Sequence, residues 1–153
     1  MNIRQTLLSI AGITALWEGG WWIRRRMLRT STYAEARKLA TKLNKPLIVV
    51  GAPDQHLTAG YDCGDVTVDL MKTSCPVAIQ ADITKPLPFA DDSVVVFVSC
   101  VLEYVNDINA AYAELERISG GNLFVVRVEP WTLTAYLYPG TKQQIWSVPV
   151  PHK

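Results

Sequence analysis

The sequence predicts an α/β fold, a mostly parallel sheet of five strands with helices on its faces. Two observations carry this. Short apolar runs recur at residues 47–50, 66–70, 77–81, 93–99 and 122–129, and the run SVVVFVS at 93–99 is that of a strand covered on both faces. Helical periodicity alternates with them: Ala36, Leu39, Ala40 and Leu43 share one stripe, as do Ile108, Ala111, Leu115 and Ile118. Strands that alternate with helices build parallel sheets.

The first element is the most apolar stretch of the chain. Thr6 to Ile23 carries one charge, Glu18, and would make a helix of about 27 Å, near the thickness of a bilayer core. Trp17, Trp21 and Trp22 lie at its C-terminal end, where amphipathic rings favour the headgroup boundary, and Arg24, Arg25, Arg26 and Arg29 follow. These features predict a transmembrane helix with its basic flank over residues 1–29. A helix lying on the membrane or buried in a partner subunit are the alternatives. Membrane lipid is therefore an expected partner of Thr6 to Ile23, with the domain of residues 30–153 on the cytoplasmic side.

A second helix is expected over residues 30–44. Ser31 or Thr32 would cap it, and Pro46 stops it before the first strand at 47–50. Strands two and three follow at 66–70 and 77–81, and the central one at 93–99. Asn106 or Asp107 would cap the helix at 108–118, Gly120 and Gly121 end it, and the fifth strand begins at Asn122.

Composition narrows the function only slightly. A net charge of +1 gives no global field to attract nucleic acid, which is not expected as a partner. Cys63, Cys75 and Cys100 form no CxxC pair and read as idle thiols in a reducing compartment. With only two histidines, no metal site is expected.

Residues 81–131 carry more. Asp82, Leu87-Pro88-Phe89, Asp91–Ser93, Val101–Val105, Asp107, Ala113-Glu114 and Gly120-Gly121 occur in an order that resembles the second half of class I S-adenosylmethionine-dependent methyltransferases of type 11. The resemblance implies a Rossmann-like sheet in the order 3-2-1-4-5, with S-adenosylmethionine bound at the carboxyl ends of the strands. It places Gly51 in the loop after the first strand and Asp69 against the ribose hydroxyls. Asp82 would face the adenine amino group, and Ser99 and Cys100 would lie near the methyl group.

Other features depart from that pattern. Residues 50–57, VGAPDQHL, keep one glycine where the family has several, and Pro53 removes a backbone donor. The connection between Gly51 and Asp65 is too short for more than about two helical turns. The usual terminal hairpin is shortened, and Gln143–Val148 would supply one strand at most. Trp131, Tyr136, Tyr138 and Trp146 gather here; they would line an acceptor pocket, cover an open sheet edge or, in preference, pack on a protein partner or a further copy. No residue stands out as a general base. A degenerate, membrane-anchored domain serving as a structural or accessory subunit is expected, with weak cofactor affinity. The alternative is an active methyltransferase on a small-molecule, lipid-like or protein acceptor. On the first reading, Asp69→Ala should change binding and stability little.

Overall fold

The computed structural model describes residues 3–55, 59–127 and 132. In chain order the elements are α1 (Ile3–Leu43), β1 (Leu47–Val50), β2 (Val66–Asp69), β3 (Ala78–Gln80), β4 (Val95–Ser99), α2 (Ile108–Ser119) and β5 (Leu123–Val126), with a single 3-10 turn at Pro53–Gln55. The five strands form one parallel sheet in the order β3-β2-β1-β4-β5, as expected.

The two helices expected at 6–23 and 30–44 are one helix. Residues 24–29 are Arg, Met and Leu, which lose little side-chain freedom in a helix, so nothing interrupts it. It ends where the sequence demands. Asn44 adopts a left-handed conformation (φ 52°), and the Lys45 and Asn44 amides donate to the carbonyls of Ala40 (3.0 Å) and Thr41 (3.2 Å) before Pro46.

No helix among the described residues is long and apolar enough to cross a membrane, so the transmembrane segment expected at Thr6 to Ile23 is corrected. The stretch is helical, but Glu18, three glycines and three tryptophans dilute its aliphatic content. The basic flank is corrected as well. Arg25 and Arg29 are buried against the domain, and Arg25 Nη2 donates to Thr132 Oγ1 at 3.4 Å; only Arg24 and Arg26 remain on the exposed side.

The sheet separates two apolar layers. On one face Ile108, Ala111, Leu115 and Ile118 of α2 pack on Ile48, Val50, Val96 and Val98. On the other, Ala36 and Ala40 of α1 pack on Leu47, Val49, Val95 and Phe97. Tyr33 and Tyr61 meet the Phe97 ring there, at centroid distances of 5.4 and 5.1 Å in edge-on geometry. β1 and β4 are buried along their whole length, in keeping with their unbroken apolar runs. Asp107 caps α2 by accepting from the Ala110 amide at 3.0 Å, and Gly120 closes it with φ 57°.

One sequence reading of the cysteines is overturned. Cys63 and Cys75 form a disulfide, with Cα atoms 5.7 Å apart; Cys100 is the free thiol and is buried. Cysteine spacing could not reveal this pairing, because the two sulfurs meet through neighbouring strand connections. The aromatic residues 131, 136, 138 and 146, the strand expected at 143–148 and the end of the fifth strand at 127–129 lie wholly or partly outside the described residues.

Candidate functional site at the carboxyl edge

In an open parallel sheet the crevice for ligands opens where strand order reverses, here between β1 and β4. The sheet brings four of the five sequence candidates to this place. Val50, the last residue of β1, lies beside Val68 and Val98, so Gly51 emerges between Asp69 at the end of β2 and Ser99 at the end of β4. Cys100 follows Ser99. Asp82 sits farther out, two residues beyond β3.

Gly51 holds φ at +90°, and its amide donates to the Val68 carbonyl at 3.1 Å. A Cβ at this position would stand 2.4 Å from Val101 Cγ2 and 3.0 Å from the Ser99 carbonyl. The glycine admits a close approach, and the group that approaches is the chain's own exit from β4. Tyr61 also holds this turn: its buried hydroxyl donates to the Gly51 carbonyl at 3.1 Å, and burial pushes its pKa well above the ordinary phenol range.

Asp69 is engaged by its own surroundings. One carboxylate oxygen accepts from the Ala52 amide at 2.8 Å and the other from the Met71 amide at 2.9 Å. These bonds tie the loop after β1 to the loop after β2. Asp82 is likewise turned onto its own chain. Its Oδ1 accepts from the amide (2.9 Å) and hydroxyl (2.8 Å) of Thr84, which hold its carboxyl below the ordinary range.

Ser99 and Cys100 are buried. Among the described residues Ser99 Oγ makes no hydrogen bond of good geometry, although the Tyr61 hydroxyl and Cys100 thiol are its neighbours. Cys100 takes a left-handed backbone (φ 53°) and donates its amide to the Val126 carbonyl at 2.8 Å. Burial, reinforced by the Glu103 carboxylate, raises its thiol to about 12. A thiol that stays protonated at neutral pH is no nucleophile. Among the described residues no three His, Cys, Asp or Glu side chains gather as a metal site.

Two residues escaped sequence reasoning, and a third, Val101, entered only as part of the family pattern. Tyr61 and Val101 lie against Gly51, and neither contact follows from periodicity, because both residues lie in connections whose path depends on the sheet. Arg117, at the opposite end of β4, explains the segment at 87–93. Its guanidinium donates to Glu114 Oε1 and Oε2, to Asp91 Oδ1 and to the carbonyls of Leu87 and Phe89, while Glu114 Oε1 also accepts from the Leu87 amide at 2.6 Å. The acid of the turn and the acid of the helix thus lock the entry to β4 in place. Their role here is architectural.

A family model of the methyltransferase domain matches residues 49–125, half of the chain. No curated protein and no solved structure matches it.

Proposed function

The chain belongs to the methyltransferase-domain family, and from that premise we propose that it is a non-catalytic member, a structural or accessory subunit held at a membrane surface. The observation that carries this reading is the neighbourhood of Gly51. A Cβ there would meet Val101 and the Ser99 carbonyl, and the Gly51 carbonyl accepts from Tyr61, so the chain's own groups contact the glycine where the family's cofactor would approach the backbone. Asp69, matched to the ribose acid, spends one lone pair of each oxygen on the chain's own amides. Among its described residues the loop beyond Gly51 carries a 3-10 turn and no helix that would aim amides at the cofactor. Pro53 withdraws a further donor.

Losing about two or three backbone hydrogen bonds to charged groups would cost about 3–6 kcal/mol, enough to carry a micromolar site to millimolar. Tethering rests on α1. Its first 22 described residues expose Ile3, Leu7, Ile10, Ile13, Leu16 and Trp22, and the exposed Arg26 follows, with the exposed Arg24 stacked over the Trp21 ring, on the side proposed to face anionic headgroups. The aromatic C-terminal residues 131–146 are the proposed seat of a protein partner.

Calorimetric titration of the full chain with S-adenosylmethionine and its demethylated product tests the reading. No saturable heat below millimolar ligand is expected. Micromolar binding, lost in a folded Asp69→Asn variant, would overturn it in favour of an active methyltransferase.

A further inference from the structure

Among the described residues no helix covers β2 and β3 on one face of the sheet. α1 covers β1 and β4 there, but β2 turns Thr67 to the same side, and the register sets Ala78 and Gln80 of the edge strand beside it. Parallel strands are ordinarily joined by a crossover of a dozen or more residues containing a helix. The connection from β2 to β3 spans residues 70–77 and contains none, and the one from β1 to β2 has only the 3-10 turn among its described residues. A hollow of about 390 Å³ remains between the two connections, bordered by Pro53, Tyr61, Cys63, Asp65, Pro76 and Val77.

Three ties hold these connections. Cys63 is bonded to Cys75 at the amino edge of the sheet, where β2 and β3 begin. Asp54 Oδ2, in the connection after β1, accepts from the amide (2.6 Å) and hydroxyl (2.7 Å) of Ser74. The hydroxyl of the buried Thr67 donates to the Cys63 carbonyl at 2.6 Å, so the disulfide-bearing loop also serves the sheet's own polar group. Of these ties only the disulfide is covalent, and it holds the connection that leads into the shortest strand, whose residues are largely exposed.

We propose that the Cys63–Cys75 disulfide stands in for the missing crossover helix, and that the β2–β3 side of this domain is built for an oxidising compartment. Disulfides persist where thiols are oxidised, and small layers that cannot bury enough apolar surface depend on them. The bond forms when both thiols give up two protons and two electrons to the disulfide of an exchange catalyst, which leaves as a dithiol. The proposal does not depend on whether a cofactor binds. It sets the domain on the opposite side of a membrane from the one its arginines suggest, and burial of Arg25 and Arg29 already removes half of that basic signal.

The test uses the full chain made in an exporting host, alkylated with iodoacetamide in denaturant. One modified cysteine, Cys100, is expected without reductant and three after reduction. Hydrogen exchange then compares the oxidised and reduced protein in native buffer. Reduction should accelerate exchange at residues 66–69 and 78–80 by roughly a hundredfold, with β1 and β4 unchanged. A Cys63→Ser/Cys75→Ser double variant should behave as the reduced protein in either condition, and Cys100→Ser as the wild type. Three modified cysteines without reductant, or identical exchange before and after reduction, would overturn the proposal; reduced wild type supplies the comparison if the double variant does not fold.

Discussion

Gly51 and Val101 meet across the switch point of the sheet, where a methyl group on the glycine would stand 2.4 Å from Val101 Cγ2. The contact joins the exits of β1 and β4, two strands paired along four residues.

Gly51→Ala therefore combines backbone strain at φ +90° with overpacking, and a loss of about 2–5 kcal/mol is expected in urea unfolding. Adding Val101→Ala should restore the steric part and leave the strain. A double-mutant cycle giving additive losses would show that the two residues do not press on each other.

Asp69→Ala is expected to destabilise the protein, which revises what the sequence alone suggests. The substitution strands the amide of Ala52, which is fully buried, and removes the acceptor of the exposed Met71 amide, a cost of about 1–3 kcal/mol. Asp69→Asn keeps one acceptor oxygen and should fall between the two. Unfolding midpoints of the three proteins, compared at equal slope, decide the order.

Stability at acid pH should depend on Asp65. Burial alone would raise this carboxyl, but the Leu47 amide at 2.7 Å and the Arg37 guanidinium at 2.8 Å hold it below its usual range. A carboxyl lowered on folding contributes stability fully above its unfolded pKa, about 3.9, and loses it as pH falls through the folded value. Asp65→Asn should lower Tm at pH 7 and converge with wild type as the pH falls through the folded value of this carboxyl. Parallel Tm curves across that range would count against the ion pair.

Removing residues 1–24 should leave the domain folded, because the first buried side chain described in α1 is Arg25. The truncated protein is expected to keep its Tm within about two degrees and to stop co-floating with anionic vesicles. Equal flotation of both proteins would move the membrane contact elsewhere.

Much of the fold was legible in residue order. The runs at 47–50 and 93–99 announce strands because a segment covered on both faces has no polar alternation to display. Asp107 and Gly120 bound α2 because a cap and a left-handed stop depend on local chemistry alone. The N-terminal stretch was legible as a helix and misleading as a span, since length and tryptophan position say little about whether enough aliphatic surface is present.

The sequence by itself determined the alternation of strands and helices, the strand order and the set Gly51, Asp69, Ser99 and Cys100 at one edge of the sheet. These follow from periodicity and turn chemistry, which act over a few residues, and from an ordered family pattern. Only the tertiary structure decided what these residues do. Asp69 bonds to Ala52, Tyr61 to Gly51 and Cys63 to Cys75 through separations of 17, 10 and 12 residues, and Arg25 reaches Thr132 across 107. Contacts of that range exist only once the sheet has set the register of its connections, and no local pattern encodes them.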